Sequence, residues 1–390
     1  MPARLVRFMA SVLVSATIAG AQVPVQTFEL QERWRRGAED DELFFGALGR
    51  VVVDEDGTVF ASDSQLSEVF VLSSGGELLR TISGPGEGPG EVNQPADMYY
   101  GLGGKIGLLQ AFPGKIVQLD PDGTPLERFP LPETPGGGFQ VVLRSEALED
   151  RLVLAGQYQV QGEGQGMMQR KYLKAVTADG KPIATYYESD TPFRWGGMEY
   201  VESSFSDFSR RWSLLEDGRV AAALEFSEYQ IHVWAPDGTL ESVIERPGYE
   251  PIERTAEERE VAQALFDAII TFNPGSTFRI NDHHPAIVQT FAQPGGELWV
   301  LTGRGTYRRP EGVAVAFDVF DARGDLVREV QIVGDVDPEN DSLFLFGDRL
   351  VAVTAALGAA MSAMGGEDVG DDGGDIEPST LVSFDLVPVD

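Results

Sequence analysis

Between Arg50 and Asp97 the apolar positions fall into four runs, each of strand length and each rich in β-branched or aromatic residues: Val51-Val52-Val53-Asp54, Thr58 to Ser62, Glu68 to Leu72 and Glu77 to Ile82. Asp56-Gly57 separates the first pair and Gly75-Gly76 the last, dipeptides that supply the positive φ angles of a tight hairpin. The pattern predicts a four-stranded antiparallel meander. A lone meander leaves a face uncovered, so it has to stack on copies of itself.

Such copies recur along the chain. A second unit runs Met98 to Tyr100, Lys105 to Leu109, Ile116 to Asp120 and Pro125 to Phe129, and a third runs Gln140 to Arg144, Leu152 to Gly156, Tyr172 to Thr177 and Ile183 to Tyr187. A polar stretch from Gln157 to Gln169 reads as an insertion between the middle strands of the third. The fourth unit takes Arg211 to Leu215, Val220 to Leu224, Tyr229 to Trp234 and Leu240 to Ile244. The period then changes: Thr255 and Glu258 form a capping box, and Val261, Leu265 and Ile269 recur at helical spacing, which predicts a helix to about Ile270 inside an insertion spanning roughly 250–272. A fifth unit covers Ile287 to Phe291, Leu298 to Leu301, Val313 to Phe320 and Leu326 to Ile332. The sixth holds only three strands, Ser342 to Phe346, Leu350 to Thr354 and Leu381 to Leu386, interrupted by an acidic glycine-rich loop at 365–377.

First-hairpin turns at Gly57, Gly104, Asp150, Gly218, Gly296 and Asp348 are spaced by 47, 46, 68, 78 and 52 residues, the longer gaps containing the insertions. Four strands per repeat at this period predict an all-β, six-bladed β-propeller of four-stranded antiparallel blades. Val25 to Arg33 alternates apolar and polar without a local partner, and the sixth unit lacks a strand. This N-terminal strand is therefore expected to close the ring. Residues 22–390 would form one domain.

The connection Gly84-Pro85-Gly86-Glu87-Gly88-Pro89-Gly90-Glu91-Val92, followed by Pro95-Ala96-Asp97, resembles the glycine-rich blade junction of NHL-type six-bladed propellers, where an aromatic commonly stands at the position of Val92. The ending Phe346-Gly347-Asp348-Arg349-Leu350-Val351, with Leu381 to Leu386, is similar to the last blade of bacterial exported members. The resemblance implies a fold more than a function, because such propellers serve as binding modules, scaffolds, sensors and occasionally enzymes.

Composition changes the picture in two places. Arg4 and Arg7 precede an apolar run from Phe8 to Ile18 that ends in Ala19-Gly20-Ala21, the layout of a cleaved secretory signal peptide at 1–21. The expected location is periplasmic or extracellular, with no membrane insertion after cleavage. The chain has no cysteine, so an exported fold has to stand on its core without disulfides. The formal net charge is −32, and loss of Arg4 and Arg7 makes it −34. That field argues against a nucleic-acid partner.

Candidate chemistry is sparse. There is no Gly-x-Ser-x-Gly elbow and no cysteine nucleophile. His283 and His284 are adjacent, would point to opposite sides of a strand, and stand in a different unit from His232, which disfavours a zinc site. The acidic run Asp368 to Glu377 fails the spacing of a calcium-binding loop. The connections into the innermost strands gather around one mouth of an axial channel, where Asp97, Gln140, Arg211, Trp212 and His284 are expected to converge as a ligand site. The expected function is that of a non-catalytic exported binding module, a monomer without cofactor, taking a peptide, glycan or protein partner. The alternative is a calcium-dependent hydrolase or lactonase with the ion in the channel.

Overall fold

The computed structural model describes residues 23–389 apart from 136, 137, 139, 163–165, 195, 206–209, 271–273 and 364–378. The expected signal peptide and the acidic loop at 365–377 lie outside the described residues. The chain begins with β1 (Val25–Arg36) and continues into a meander of β2 (Leu48–Val53), β3 (Val59–Asp63), β4 (Glu68–Leu72) and β5 (Leu78–Ile82). A three-stranded sheet follows, β6 (Pro95–Gly101), β7 (Lys105–Gln110) and β8 (Lys115–Leu119). The next sheet has β9 (Gln140–Ala147), β10 (Arg151–Gln161), β11 (Met167–Thr177) and β12 (Pro182–Phe193). After β13 (Glu199–Val201) and α1 (Glu202–Phe205) come β14 (Trp212–Leu214), β15 (Val220–Ala222), β16 (Gln230–Trp234) and β17 (Leu240–Glu245). An excursion holds α2 (Ala256–Ile269) and β18 (Thr277–Arg279), the latter paired in parallel with β13. The last stretch has β19 (Ile287–Ala292), β20 (Leu298–Thr302), α3 (Gly303–Tyr307), β21 (Val315–Phe320), β22 (Leu326–Val333), β23 (Ser342–Phe346), β24 (Arg349–Val353), α4 (Ala356–Ala363) and β25 (Leu381–Pro388).

These strands make an all-β arrangement of successive antiparallel sheets with few helices, in accord with a β-propeller. Its core is divided into wedges between consecutive sheets. One wedge packs Val52, Phe60 and Val71 of the first meander on Met98, Ile106 and Leu108 of the next sheet. Others join Tyr99 and Leu109 to Leu152 and Leu154, Val153 and Leu173 to Trp212 and Trp234, and Ile231 and Val233 to Ile287 and Val300. Phe317 and Trp299 meet Leu343 and Leu350, and a last wedge brings Phe344 and Val351 back against Val51 and Phe70. Each inner or middle strand is therefore buried on both faces, which is why the runs read as nearly continuous apolar segments rather than strict alternations.

The N-terminal strand pairs antiparallel with β25, from Phe28 opposite Pro388 to Arg36 opposite Leu381, as the missing fourth strand of the last unit requires. It also pairs in parallel with β22 from Val25 opposite Glu329 to Glu29 opposite Val333, so the sheets on either side merge into one of eight strands. Phe28 and Leu30 pack on the wedge between those sheets. Farther along, Trp34 is 8% exposed and lies over the β4–β5 turn. There Gly76 has φ +83°, and a Cβ would sit 2.6 Å from the indole ring. Glycine is required at this turn for both reasons.

Two expectations need correction. Pro125 to Phe129 is no regular strand; Leu119 bridges Pro125, and only the amides of Leu126 and Phe129 reach the β8 carbonyls of Gln118 and Ile116. Pro125 and Pro130 cannot donate to a ladder, which keeps this edge irregular. Gln157 to Gln169 is not an insertion between strands, because β10 and β11 simply continue as a hairpin, with Gln157 opposite Lys171 and Gln161 opposite Met167. The helix starts as expected: Thr255 accepts from the Glu258 amide, and the Glu258 carboxylate accepts from the Thr255 amide at 2.7 Å. Among the described residues no helix is long and apolar enough to cross a membrane.

Candidate functional site

The starts of the strands β2, β6, β9, β14, β19 and β23 surround the axis, each being the first strand of its sheet unit. Two cavities lie there, of about 90 Å³ and about 220 Å³, and Arg50, Arg144, Gln289 and Phe344 line both, forming the partition between them. The smaller lies toward the strand starts and is completed by Asp97, Arg210 and Ser342. The larger opens toward the strand ends and takes Glu146, Ser213 and Thr290 into its wall.

Arg144 is the most firmly held of these groups. Its Nη2 donates to Glu146 Oε1 at 2.6 Å, and its Cζ stands 5.7 Å from the ring centre of fully buried Trp212. The second Glu146 oxygen accepts from the Leu214 amide at 2.7 Å. Arg50 places Nε 3.6 Å from Asp97 Oδ1 and Nη2 3.9 Å from Glu146 Oε1, with Phe344 5.8 Å from its Cζ. Burial, reinforced by the charge of Arg144, pulls the Arg50 pKa down to about 10, against the opposing pull of Asp97 and Glu146. Asp97 accepts from the amide and hydroxyl of Ser145 at 2.6 and 3.1 Å. Burial raises its pKa, and Arg50 and Arg144 counteract that rise. Arg210 donates to Ser342 Oγ at 3.3 Å.

Arginines and carboxylates thus alternate around the axis, Arg50 between Asp97 and Glu146 and Arg144 on Glu146. Arg50 Nε and Arg144 Nε are buried without a hydrogen-bond partner among the described residues.

Of the five residues expected to converge, Asp97 alone lines these cavities. Trp212 lies in the wedge between two sheets and acts from behind, as the surface on which Arg144 rests. Gln140 is turned into its own sheet, where Oε1 accepts from Tyr172 and Nε2 donates to the Pro132 carbonyl. Arg211 is buried and donates to the Glu225 carbonyl at 2.9 Å. His284 belongs to a different cluster beside α2. Its Nδ1 accepts from Arg254 Nε at 3.4 Å, its ring stacks on Tyr307 at 3.7 Å, and its Nε2 stands 3.2 Å from Glu258 without good alignment. Nor do His283 and His284 sit on a strand; His283 makes a single bridge to Glu253. Among the described residues no three His, Cys, Asp or Glu side chains gather as a metal site would need.

Arg50, Arg144, Gln289 and Ser342 were not foreseen. The signal was an arginine set against an apolar inner run in two separate units, before Val51-Val52-Val53 and after Val141-Val142-Leu143. Such a residue has no solvent edge to reach except the axis.

No family model matches the chain, and no curated protein matches it. Solved structures are similar over most of its length. A Bacteroides fragilis protein described as exported has 12% identity and a TM-score of 0.48, covering 94% of this chain and 100% of its own. A member of the duf4221 family from Bacteroides vulgatus has 10% identity and a TM-score of 0.46, covering 93% of this chain and 99% of its own. Virginiamycin B lyase from Staphylococcus aureus has 11% identity and a TM-score of 0.42, covering 92% of this chain and 100% of its own. Likenesses this distant carry no function across.

Proposed function

We propose that the chain is an exported six-bladed β-propeller that acts as a binding module, with a peptide, glycan or protein partner entering the axial cavity from the face where the inner strands begin. Six inner strands around one cavity support the blade count, with the eight-stranded sheet taken as two blades bridged by β1. The observation that carries the binding reading is the convergence of Arg50, Asp97, Arg144 and Gln289 from four different strands on one enclosed space. Charged and amide groups brought to an axis from separate sheets add nothing to the wedges, and they suit the orientation of a ligand.

The cavity can be plugged without removing any of its charged groups. Ser342 is 6% exposed in the wall of the smaller lobe, and Ser342→Trp fills much of its volume. A variant shown by circular dichroism to be folded is expected to lose the hits that the wild type makes on a peptide and glycan array. Hits that survive unchanged would place binding elsewhere. Export has a simpler check: N-terminal sequencing of secreted material is expected to begin at Gln22, and a mature chain retaining Met1 would refute it.

A further inference from the structure

We propose that the larger axial lobe is a second binding site, entered from the face where the inner strands end, and that it takes an organic ammonium group whose body carries an oxygen acceptor. It is separate from the site in the smaller lobe and opens on the opposite face.

The turns that follow the inner strands set the sign of the charge at this mouth. Asp54-Glu55-Asp56 follows β2, Glu149-Asp150 comes one residue after β9, and Asp348 one residue after β23. Glu55, Asp56, Glu149 and Asp348 are exposed. The arginines of these hairpins are drawn away from the axis, each toward an outer turn of the next sheet. Arg151, which pairs with Asp150, reaches on to the Pro236 carbonyl, Arg219 donates to that of Ala322, and Arg349 to that of Ser74. Lys105 on the β6–β7 hairpin offsets one of the acids. A mouth rimmed by carboxylates, with its arginines turned outward, concentrates cations at the opening.

The wall just inside favours an organic cation over a metal ion. Tyr100 and Phe346 line the lobe from the strands on either side of β2, and both are half-buried. Tyr100 is fixed by stacking on Phe60 at 5.7 Å, and its pKa is raised first by burial and then by Asp54, Glu55 and Asp56, so the acidic turn acts on this ring. Ala147 and Ala292 line the lobe from two other sheets. An ammonium group is attracted to an aromatic face, most strongly where water is scarce. A metal ion needs converging ligands instead, and among the described residues no three His, Cys, Asp or Glu side chains gather.

The inner end of the lobe gives an independent sign of an occupant. Arg144 lines it and is 7% exposed, and its Nε has no acceptor among the described residues. A buried N–H left without an acceptor costs stability, and an oxygen on the body of the amine supplies one. No further charge is asked for there, since Arg50 and Arg144 already stand against Asp97 and Glu146.

The test uses the full mature chain at low salt and a set of probes that differ in one group, with dissociation constants from ligand-observed NMR. 4-Aminobutanol is expected to bind at least tenfold more tightly than its neutral isostere 1,4-butanediol, more tightly than butylammonium, which lacks the oxygen, and far more tightly than 4-hydroxybutyrate. Glu55→Gln with Asp56→Asn is expected to weaken aminobutanol at least fivefold, while Asp54, whose carboxylate holds the turn through the Asp56 and Thr58 amides, is left in place. Glu257→Gln with Glu260→Gln on α2 removes the same charge elsewhere and is expected to leave binding unchanged. Phe346→Leu keeps an apolar wall without a ring face and is expected to weaken aminobutanol while leaving butanediol as it was. Butanediol or butylammonium binding as well as aminobutanol, calcium displacing it at equal concentration, or the α2 variant losing as much as the turn variant would each overturn the proposal. Nα-acetyl-lysine methylamide distinguishes the source: binding like aminobutanol assigns the site to lysine side chains of a partner, and failure beside a binding aminobutanol assigns it to a free amine.

Discussion

Replacing Glu202 by alanine is expected to destabilise the protein by about 3–5 kcal/mol, the cost of leaving one charge of a buried pair without its partner. The Glu202 and Arg254 side chains are only 4% and 6% exposed, and two hydrogen bonds of 2.6 and 2.8 Å join them. Glu202 Oε2 also accepts from the Asn281 amide at 2.9 Å, and Arg254 reaches on to His284 and the Asn281 carbonyl. One carboxylate therefore ties α1, the segment before α2 and the connection into β19. The truncation leaves a guanidinium buried, whereas Glu202→Gln with Arg254→Met removes both charges and is expected to recover much of the loss. Urea denaturation of the three proteins decides this. A Glu202→Ala midpoint equal to the wild type would show the pair to be ornamental.

The same cluster gives the attachment of α2 a pH dependence with a definite sign. Arg308 holds the Glu258 carboxyl well below the usual range, helped by the Thr255 amide and His284 and opposed by burial. A depressed carboxylate contributes stability that is complete above its unfolded value of ~4.3 and is lost as pH falls below it. His284 has a lowered pKa because of burial, with Arg254 and Arg308 acting the same way and Glu258 against them. Its neutral form is favoured in the fold, so its contribution begins to fade as pH falls below ~6.5. Tyr307, stacked on the imidazole, stays neutral throughout, its pKa pushed up to about 12 by burial. Acidification thus acts in one direction through both groups, the histidine first. His284→Asn is expected to show a smaller fall in melting temperature between pH 7 and pH 5 than the wild type; an equal fall would remove His284 from the account.

What was legible in the sequence follows from where the constraints are local. Hairpin turns at Gly57 and Gly76 announce themselves because only glycine adopts their φ angles of +82° and +83° without strain. The capping box of Thr255 and Glu258 is likewise complete within four residues, and it starts the helix Ala256–Ile269. The site is not local. Arg144 owes its place to Glu146 on its own strand and to Trp212, 68 residues onward. The run Val141-Val142-Leu143 before Arg144 hints at the axis, but the surface on which the guanidinium rests lies far along the chain. The place of His284 before an inner strand points to the axis, but the excursion carrying α2 gathers Arg254, Glu258 and Tyr307 around it first. The residues that begin a strand are set by the connection entering it, and connections differ from sheet to sheet.

Deleting residues 22–33 is expected to yield a chain that aggregates and melts well below the mature protein. The strand β1 has neighbours on both sides, so its loss strips pairing from two strands at once: β25 from Phe28 to Glu32 and β22 from Val25 to Glu29. It also uncovers the wedge that Phe28 and Leu30 complete, where Phe28 stands 6.4 Å from Trp299. Removing two such side chains forfeits on the order of 1.5–3 kcal/mol each if they are well covered, and less in proportion to their residual exposure. The ladders matter more. Two bare edges in one sheet are templates for pairing with other copies, and Phe384 to Pro388 lie on one of them. Size-exclusion chromatography with light scattering after refolding should show large assemblies where the mature chain runs as one species. A peptide of residues 22–36 added during refolding is expected to restore solubility by supplying the missing strand, since the groove it leaves has hydrogen-bonding edges on both sides. A truncated chain that stays soluble and melts with the mature one would mean that the sheets on either side of β1 hold together through their side chains alone, and the closing role of the N-terminal strand would have to be given up.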